Sequence, residues 1–512
     1  MNLYRDAWIP VRGSNAEFQQ ISLKRLLCQD EAWQISMPRD DMELACLQLL
    51  ISLVQVAFTP ADEKEWRQKM RSLLNEPTFD AGVAPLLDWF DLVHPVHPFM
   101  QTLGFESEKA LPIQKLLIGL PEGHNHSFFN QPGEVKNLGA ATAAISLFNQ
   151  AVNSPGVSSG LEVGIRKAAS VTLISANNLR EMVWRNVLHQ TTLHELYPER
   201  DSEDVEPPNW VKAATATEYA ANMGLLRGLF WQPKCIQLVQ ANIKGGCDLL
   251  QTEEPFLFTG FKWKKQSRKL EGFWLHPHTP SRLKIDKDKP VNVYLSFTNK
   301  NPSWEHTLNY IMERASGEIG GRAAPVVTQW KRLGDAINLN LIVGGYCRKK
   351  SNEEKIENRR HELYSIGEGW QSQPGQDAIR RTIEDAIFVK SILRAKVHDV
   401  AKVIGLSKLK PKMQRRKEVP EDQNYLGMPD KAEEFFYQRT EGMIQDWFRE
   451  MTRSERRSEQ IKFIASLSKI CLKIFEEVTE PYYQNPELIR TVALAKLSLN
   501  SELKKMKESI AQ

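Results

Sequence analysis

Several things the chain lacks narrow its identity first. Its six cysteines, Cys28, Cys46, Cys235, Cys247, Cys347 and Cys471, lie far apart and include no CxxC pair. Zinc-ribbon spacing is therefore absent, a disulfide scaffold is excluded, and free, mostly buried thiols in a reducing compartment are expected. Long hydrophobic runs are missing too: the longest, Leu44–Phe58, is broken by Gln48, Ser52 and Gln55 and falls short of the ~20 residues a membrane-spanning helix needs. The opening MNLYRDAWIPVR carries early charges and no apolar core, unlike a signal peptide. Charge of one sign is also scarce. Lys and Arg number 67 against 63 Asp and Glu, a net of +4, too little to coat a whole surface for nucleic acid, so any basic site is local. Walker A, HExxH, dinucleotide-fingerprint and kinase signatures are absent. A soluble, cytoplasmic protein without a membrane partner is expected, and 512 residues, 41% hydrophobic and 25% charged, leave room for two or three domains.

What is present changes character once. Up to residue 370 the chain alternates short strand-like runs, such as Val291–Phe297, with long loops and a core helix near 41–58. Asp40, Asp41 and Glu43 sit where a helix N-terminus favours negative charge. Between Ile366 and Gly375 the sequence reads IGEGWQSQPG, a turn-rich segment that marks a boundary. Beyond it, helix-like stretches near 376–405, 430–451, 455–478 and 485–508 are separated by proline-containing segments. Apolar residues at three and four spacing, as in Ile461, Ile464, Leu467, Ile470 and Ile474, make these helices amphipathic. The expected fold class is therefore α+β, with a mixed α/β domain over 1–370 and a four-helix bundle over 371–512. Residues 371–512 hold 26 Lys and Arg against 21 Asp and Glu, a net of +5. The densest run comprises Lys408, Lys410, Lys412, Arg415, Arg416 and Lys417. It reads either as a solvated loop or as a stripe that follows phosphates.

One enzyme motif matches literally. Gly156-Val157-Ser158-Ser159-Gly160 is GxSxG, and a serine hydrolase with Ser158 as nucleophile is the alternative reading. That elbow needs a strand running into the serine, whereas the preceding Ala140–Val152 segment reads as a helix. Three histidine groups, His94/His97, His124/His126 and His276/His278, are mostly flanked by proline and read as structural, so no metal and no cofactor are expected.

The ordered motifs NLYRDAWIPV, PRDDMEL at 38–44, HPFMQT at 97–102, FNQPG at 129–133, LFNQ at 147–150, RGLFWQP at 227–233, HPH at 276–278 and RRH at 359–361 run almost from end to end. Together they resemble the large subunit of the type I-E CRISPR Cascade surveillance complex, the CasA family. The resemblance implies a subunit that is not an enzyme. It would recognise a protospacer-adjacent motif in target double-stranded DNA through the minor groove, help open the duplex, and help recruit a helicase-nuclease. Its partners would be guide RNA and the other Cascade subunits. Carried over by motif, Phe128 and Asn130 would lie by the guide handle. Gly156, Ser158, Ser159 and Gly160 would form a glycine loop at the DNA motif, with Lys265 as a lysine finger. A wedge would follow Gly344-Gly345-Tyr346, where this chain has Arg348, Lys349 and Lys350 in place of the family's amides. Lys408–Lys417 would hold DNA backbone. Cysteine pairs that members can use for zinc are here Leu138-Gly139-Ala140-Ala141 and a lone Cys247, so the resemblance implies no zinc.

Overall fold

The computed structural model describes residues 1–511 apart from 107–108, 121–132, 155–163, 167–168, 198–205, 266–268, 288, 298–302, 313–320, 334–337, 349–355, 409–426 and 451–456. It divides into two compact units. The first comprises Met1–Asn299, Asn309–Arg332 and Asn340–Leu363; the second comprises Lys300–Leu308, Leu333–Leu339 and Tyr364–Gln512.

The first unit is built around the Asp40–Ala57 helix, shifted one residue toward the N-terminus from the 41–58 that the sequence predicts. Leu44, Ala45, Leu47, Leu50, Ile51 and Val54 are buried, and so are Gln48, Ser52 and Gln55. A helix hydrophobic on all sides belongs in a core, and two of the polar breaks, Gln48 and Gln55, find hydrogen-bond partners there. Gln55, for example, donates from Nε2 to the Leu188 carbonyl at 2.9 Å and accepts from the Leu188 amide at 2.7 Å. Against this helix packs Ala140–Val152, every residue of which is buried. Its alanines let two backbones approach closely.

Small sheets surround this helix pair. Ile9–Arg12 lies between Phe18–Ile21 and Gln34–Ile35. Leu257–Lys265 pairs antiparallel with Lys234–Ala241 on one side and Leu111–Pro112 on the other. A third sheet runs Ile356–Ile366, Leu339–Arg348, Val171–Ile174, with Leu341 opposite Ile174 and Gly344 opposite Val171. The run expected near 291–297 is the strand Lys289–Tyr294, hairpinned onto Ser281–Asp286.

In the second unit, helices span Gln373–Lys408, Met428–Glu450, Arg457–Thr479 and Pro486–Ala511 and pack on one another as a four-helix bundle. The first begins inside the glycine-rich segment, three residues before the 376 that the sequence predicts. Ser372 accepts the Gly375 amide on its hydroxyl at 3.2 Å, satisfying an amide that has no partner within the helix. The fully buried seam of the third helix is Ile464, Leu467, Cys471, Ile474 and Phe475. Ile461 and Ile470, which the sequence stripe includes, are only half-buried. Alternate three and four steps fit several faces a few tens of degrees apart, and packing selects one.

Candidate nucleic-acid interface

Of the sequence-predicted site residues, Phe128, Asn130, Gly156, Ser158, Ser159, Gly160, Lys349, Lys350, Lys410, Lys412, Arg415, Arg416 and Lys417 lie outside the described residues. Three others are fixed by their backbone. Lys265 closes the strand Leu257–Lys265 opposite Lys234, Arg348 closes Leu339–Arg348, and Lys408 closes the first helix of the second unit. On the Lys265 strand, Lys262 and Lys264 are exposed and Trp263 is half-buried, the alternation a half-covered strand produces.

The described residues include those at the chain ends of the predicted loops of the first unit. The residues at their roots share one buried hydrogen-bonded relay. Arg166, 1% exposed, follows the glycine loop. It donates to the Val152 carbonyl at 3.1 Å, to Thr279 Oγ1 at 3.1 Å and to Asn153 Oδ1. Asn153 Nδ2 donates at 2.9 Å to Asn149 Oδ1 and at 2.9 Å to Gln48 Oε1. Asn149 Nδ2 donates to Tyr346 Oη at 3.1 Å, and Tyr346 Oη donates to Asp41 Oδ2 at 2.9 Å. Arg39 grips the same carboxylate at 3.0 and 2.8 Å and donates to the Ile118 carbonyl at 2.9 Å.

Burial sets the electrostatics of this relay. All three acceptors of Arg166 are uncharged, and burial pushes its guanidinium down to about 10. One of them, the Val152 carbonyl, ends the Ala140–Val152 helix, where the helix dipole favours a cation. Burial, then the neighbouring Asp41 carboxylate, raises the Tyr346 phenol well above its ordinary value, so the hydroxyl stays protonated and can donate. Asp41 faces inward to Arg39 and Tyr346 rather than serving the helix terminus alone.

A glycine holds the other strand of the glycine-loop root. A Cβ on Gly164 would stand 2.2 Å from the Ala151 carbonyl oxygen, so only glycine lets the chain return against that helix end. Beside it, Arg166 and Gly164 line a cavity of about 610 Å³ walled by Trp231, Phe273, Trp274 and Tyr294.

The histidines separate clearly. His276 and His278 are buried, and burial lowers both, His278 to about 4. His278 Nε2 donates to the Asn186 carbonyl at 2.9 Å, and His276 Nδ1 accepts the His278 amide at 3.0 Å. Among the described residues the one cluster with metal-ligating potential is Asp88, His94 and His97. Hydrogen bonds engage its ring nitrogens. His94 Nδ1 accepts the amides of Val96 and His97 at 3.2 and 3.0 Å, which puts the ring proton on Nε2, the atom facing Asp88 at 3.3 Å. The two imidazoles stack with centroids 3.9 Å apart, and His97 Nε2 also faces Asp88, at 3.2 Å. Cys247, buried, meets Thr142 Oγ1 at 3.3 Å. The GxSxG motif is entered from the Ala140–Val152 helix, not from the strand a nucleophile elbow requires.

Sequence reasoning missed Arg39, Asp41, Asn149, Asn153 and Arg166 as site residues, although most of the signal was present. PRDDMEL contains Arg39 and Asp41, LFNQ contains Asn149, and Tyr346 follows two glycines, on the strand Leu339–Arg348 rather than at a turn. Motifs far apart in the chain meet in one buried cluster.

The described residues thus form an α+β unit with a buried hydrogen-bonded relay and a helical bundle. The chain belongs to the family of CRISPR-associated protein Cse1, whose model matches residues 2–474. It is 23% identical over 425 residues to CRISPR-associated protein CasA/Cse1 of Thermus thermophilus, covering 79% of this chain and 78% of that one. Its fold is similar to the solved structure of Thermus thermophilus CasA, with a TM-score of 0.74 at 17% identity and 99% of each chain covered. Thermobifida fusca Cse1 gives 0.73 at 18% identity, covering 99% of this chain and 98% of that one. A chain of a CRISPR RNA-guided surveillance complex gives 0.68 at 14% identity, covering 98% and 99%.

Proposed function

We propose that this chain is the large subunit of an RNA-guided antiviral surveillance complex of the Cascade type. In this reading it binds alongside guide RNA and the other Cascade subunits. It recognises a protospacer-adjacent motif in target double-stranded DNA through the minor groove, promotes duplex opening and R-loop formation, and helps recruit a helicase-nuclease. The observation that carries the reading is membership of the Cse1 family over residues 2–474. A further support is that the roots of three loops assigned to guide and DNA contacts share one buried polar base.

The chemistry suits the task. The minor groove displays acceptors on both A·T and T·A and adds only the guanine amino donor on G·C. A lysine finger at Lys265 and backbone amides of the Gly156–Gly160 segment would therefore discriminate loosely and tolerate several motifs. Guide pairing reads the remaining sequence. The chain binds and positions; it supplies no chemistry of its own. A helix rather than a strand precedes the Ser158 motif, which weighs against the hydrolase alternative.

The test is binding of the assembled complex, with and without this chain, to guide-complementary duplexes carrying randomised flanking trinucleotides. A preference for a subset of trinucleotides that appears only with the chain present is the expected result. Equal binding to all flanks in both preparations would overturn the reading.

A further inference from the structure

The relay beneath the loops has a direction. Arg166 donates to Asn153, Asn153 to Asn149, Asn149 to Tyr346, and Tyr346 to Asp41. Its two ends are chemically one-way: a guanidinium can only donate and an ionised carboxylate can only accept. Every group between them is thereby oriented. Flipping the Asn149 amide would set its oxygen against a hydroxyl whose proton is already committed to Asp41. It would also turn its NH₂ against that of Asn153. The amide orientation follows from the two charged ends, and linked hydrogen bonds of one sense reinforce each other.

The members are placed where the chain leaves for the proposed contacts. Arg39 holds the Ile118 carbonyl, shortly before residue 121. Asn153 and Arg166 flank the 155–163 segment on its two sides. Tyr346 stands two residues before Arg348. An apolar core would hold the same helices together, but without fixed orientation, because dispersion and burial are non-directional. Nothing in the packing of Asp40–Ala57 on Ala140–Val152 requires a buried carboxylate, two amides and a guanidinium.

We propose that Tyr346 and Asn149, at the centre of this relay, are positioning residues. They hold the roots of the handle loop, the glycine loop and the wedge in one mutual register, so that motif reading and strand opening depend on the same hydrogen bonds. The inference rests on the proposed DNA-reading function and adds to it a set of residues that touch no nucleic acid.

The test uses the assembled complex with Tyr346→Phe, which keeps the ring and removes only the hydroxyl. It leaves the Asn149 donor without its acceptor, a loss that typically corresponds to about tenfold in an equilibrium. Three quantities are read: affinity for guide-complementary single-stranded DNA, the affinity ratio between the best and worst flanking trinucleotides, and the opening rate from a fluorescent base analogue at the first target position. The expected result is single-stranded binding within about twofold of wild type, with the flank ratio and the opening rate falling together. Arg39→Lys, which keeps the charge beside Asp41 and drops the fork, gives the same pattern and serves where Tyr346→Phe does not assemble. An unchanged flank ratio in an assembled variant, or a loss shared equally by single-stranded DNA, would overturn the inference. If wild type itself shows no flank preference, the function proposed above fails instead, so the two failures are distinguishable.

Discussion

The two units are stabilised differently, and the difference decides what each can be asked to do. In the bundle the interior is apolar along every helix: Leu393, Val397 and Val400 on the first, Phe436, Ile444 and Phe448 on the second, Leu467 and Ile474 on the third, Val492 and Leu499 on the fourth. Beside that apolar seam it carries ion pairs, one largely buried, Lys390 with Glu305, and others exposed, such as Arg394 with Asp430. Lys390 meets Glu305 at 3.0 Å and Glu433 at 3.3 Å, and Arg394 meets Asp430 at 2.7 Å. The first unit instead runs charges and amides through its centre, where an unpaired group costs far more than it does at a rim. Apolar packing resists change broadly, whereas a directional network transmits a single lost atom to its neighbours.

The largest expected effect lies in the bundle. Leu467, fully buried, becomes a cavity in Leu467→Ala and should cost about 2–5 kcal/mol, seen as earlier urea-induced exchange of amides in Arg457–Thr479. The flank preference of the assembled complex should stay the same. A changed preference would erase the distinction between the two units.

Acid should then separate the units. His278 has a folded value of about 4 against the ordinary 6.5, so between those values only the unfolded chain takes the proton. Its contribution is complete above about pH 6.5 and is lost as pH falls toward 4, amounting to about 2 kcal/mol between pH 7 and pH 5. His276, lowered by the same burial, adds in the same sense. In the bundle, burial raises Asp385, so proton uptake favours the folded form and lower pH supports it. Hydrogen exchange corrected for intrinsic rates should show protection falling in Val171–Ile174 and not in Gln373–Lys408. Parallel losses would contradict this.

Smaller effects sharpen the functional side. Replacing Lys408, Lys410, Lys412, Arg415, Arg416 and Lys417 should weaken DNA binding across sequences. It should also flatten the slope of log affinity against log salt by about three, if three or four phosphates are held at ~0.9 each. An unchanged slope returns the run to a solvated loop. Lys265→Ala should lower affinity for motif-bearing duplex about tenfold, on the scale of 1–3 kcal/mol for a base-edge contact. Single-stranded target should be spared, and equal loss on both substrates would remove the finger assignment. Least of all, Ser158→Ala should leave DNA binding intact while Gly160→Val weakens it. Ester turnover that disappears with Ser158→Ala would restore the hydrolase reading.

The legibility of the two units follows from the same contrast. The bundle helices begin and end within a few residues of their sequence-derived limits, because amphipathic periodicity and proline are local signals. The core helix at Asp40–Ala57 was equally plain, and so was the helix before Ser158. The site was legible only as separate motifs. Asn149 inside an alanine-rich helix, Tyr346 after two glycines and Arg166 in a loop carry no local mark of belonging together.

By itself the sequence determined the α+β composition, the helical second half, the local placement of positive charge and the family resemblance, since each depends on residue types at short spacing. Tertiary structure alone decided that Asp41 turns inward, that Arg166 is buried with only neutral acceptors, and that the relay runs one way from Arg166 to Asp41. The reason is physical. Hydrogen bonds are directional and short, so their partners are set by which backbones meet, and residues 41, 149, 166 and 346 meet only once the helices and the Leu339–Arg348 strand have packed.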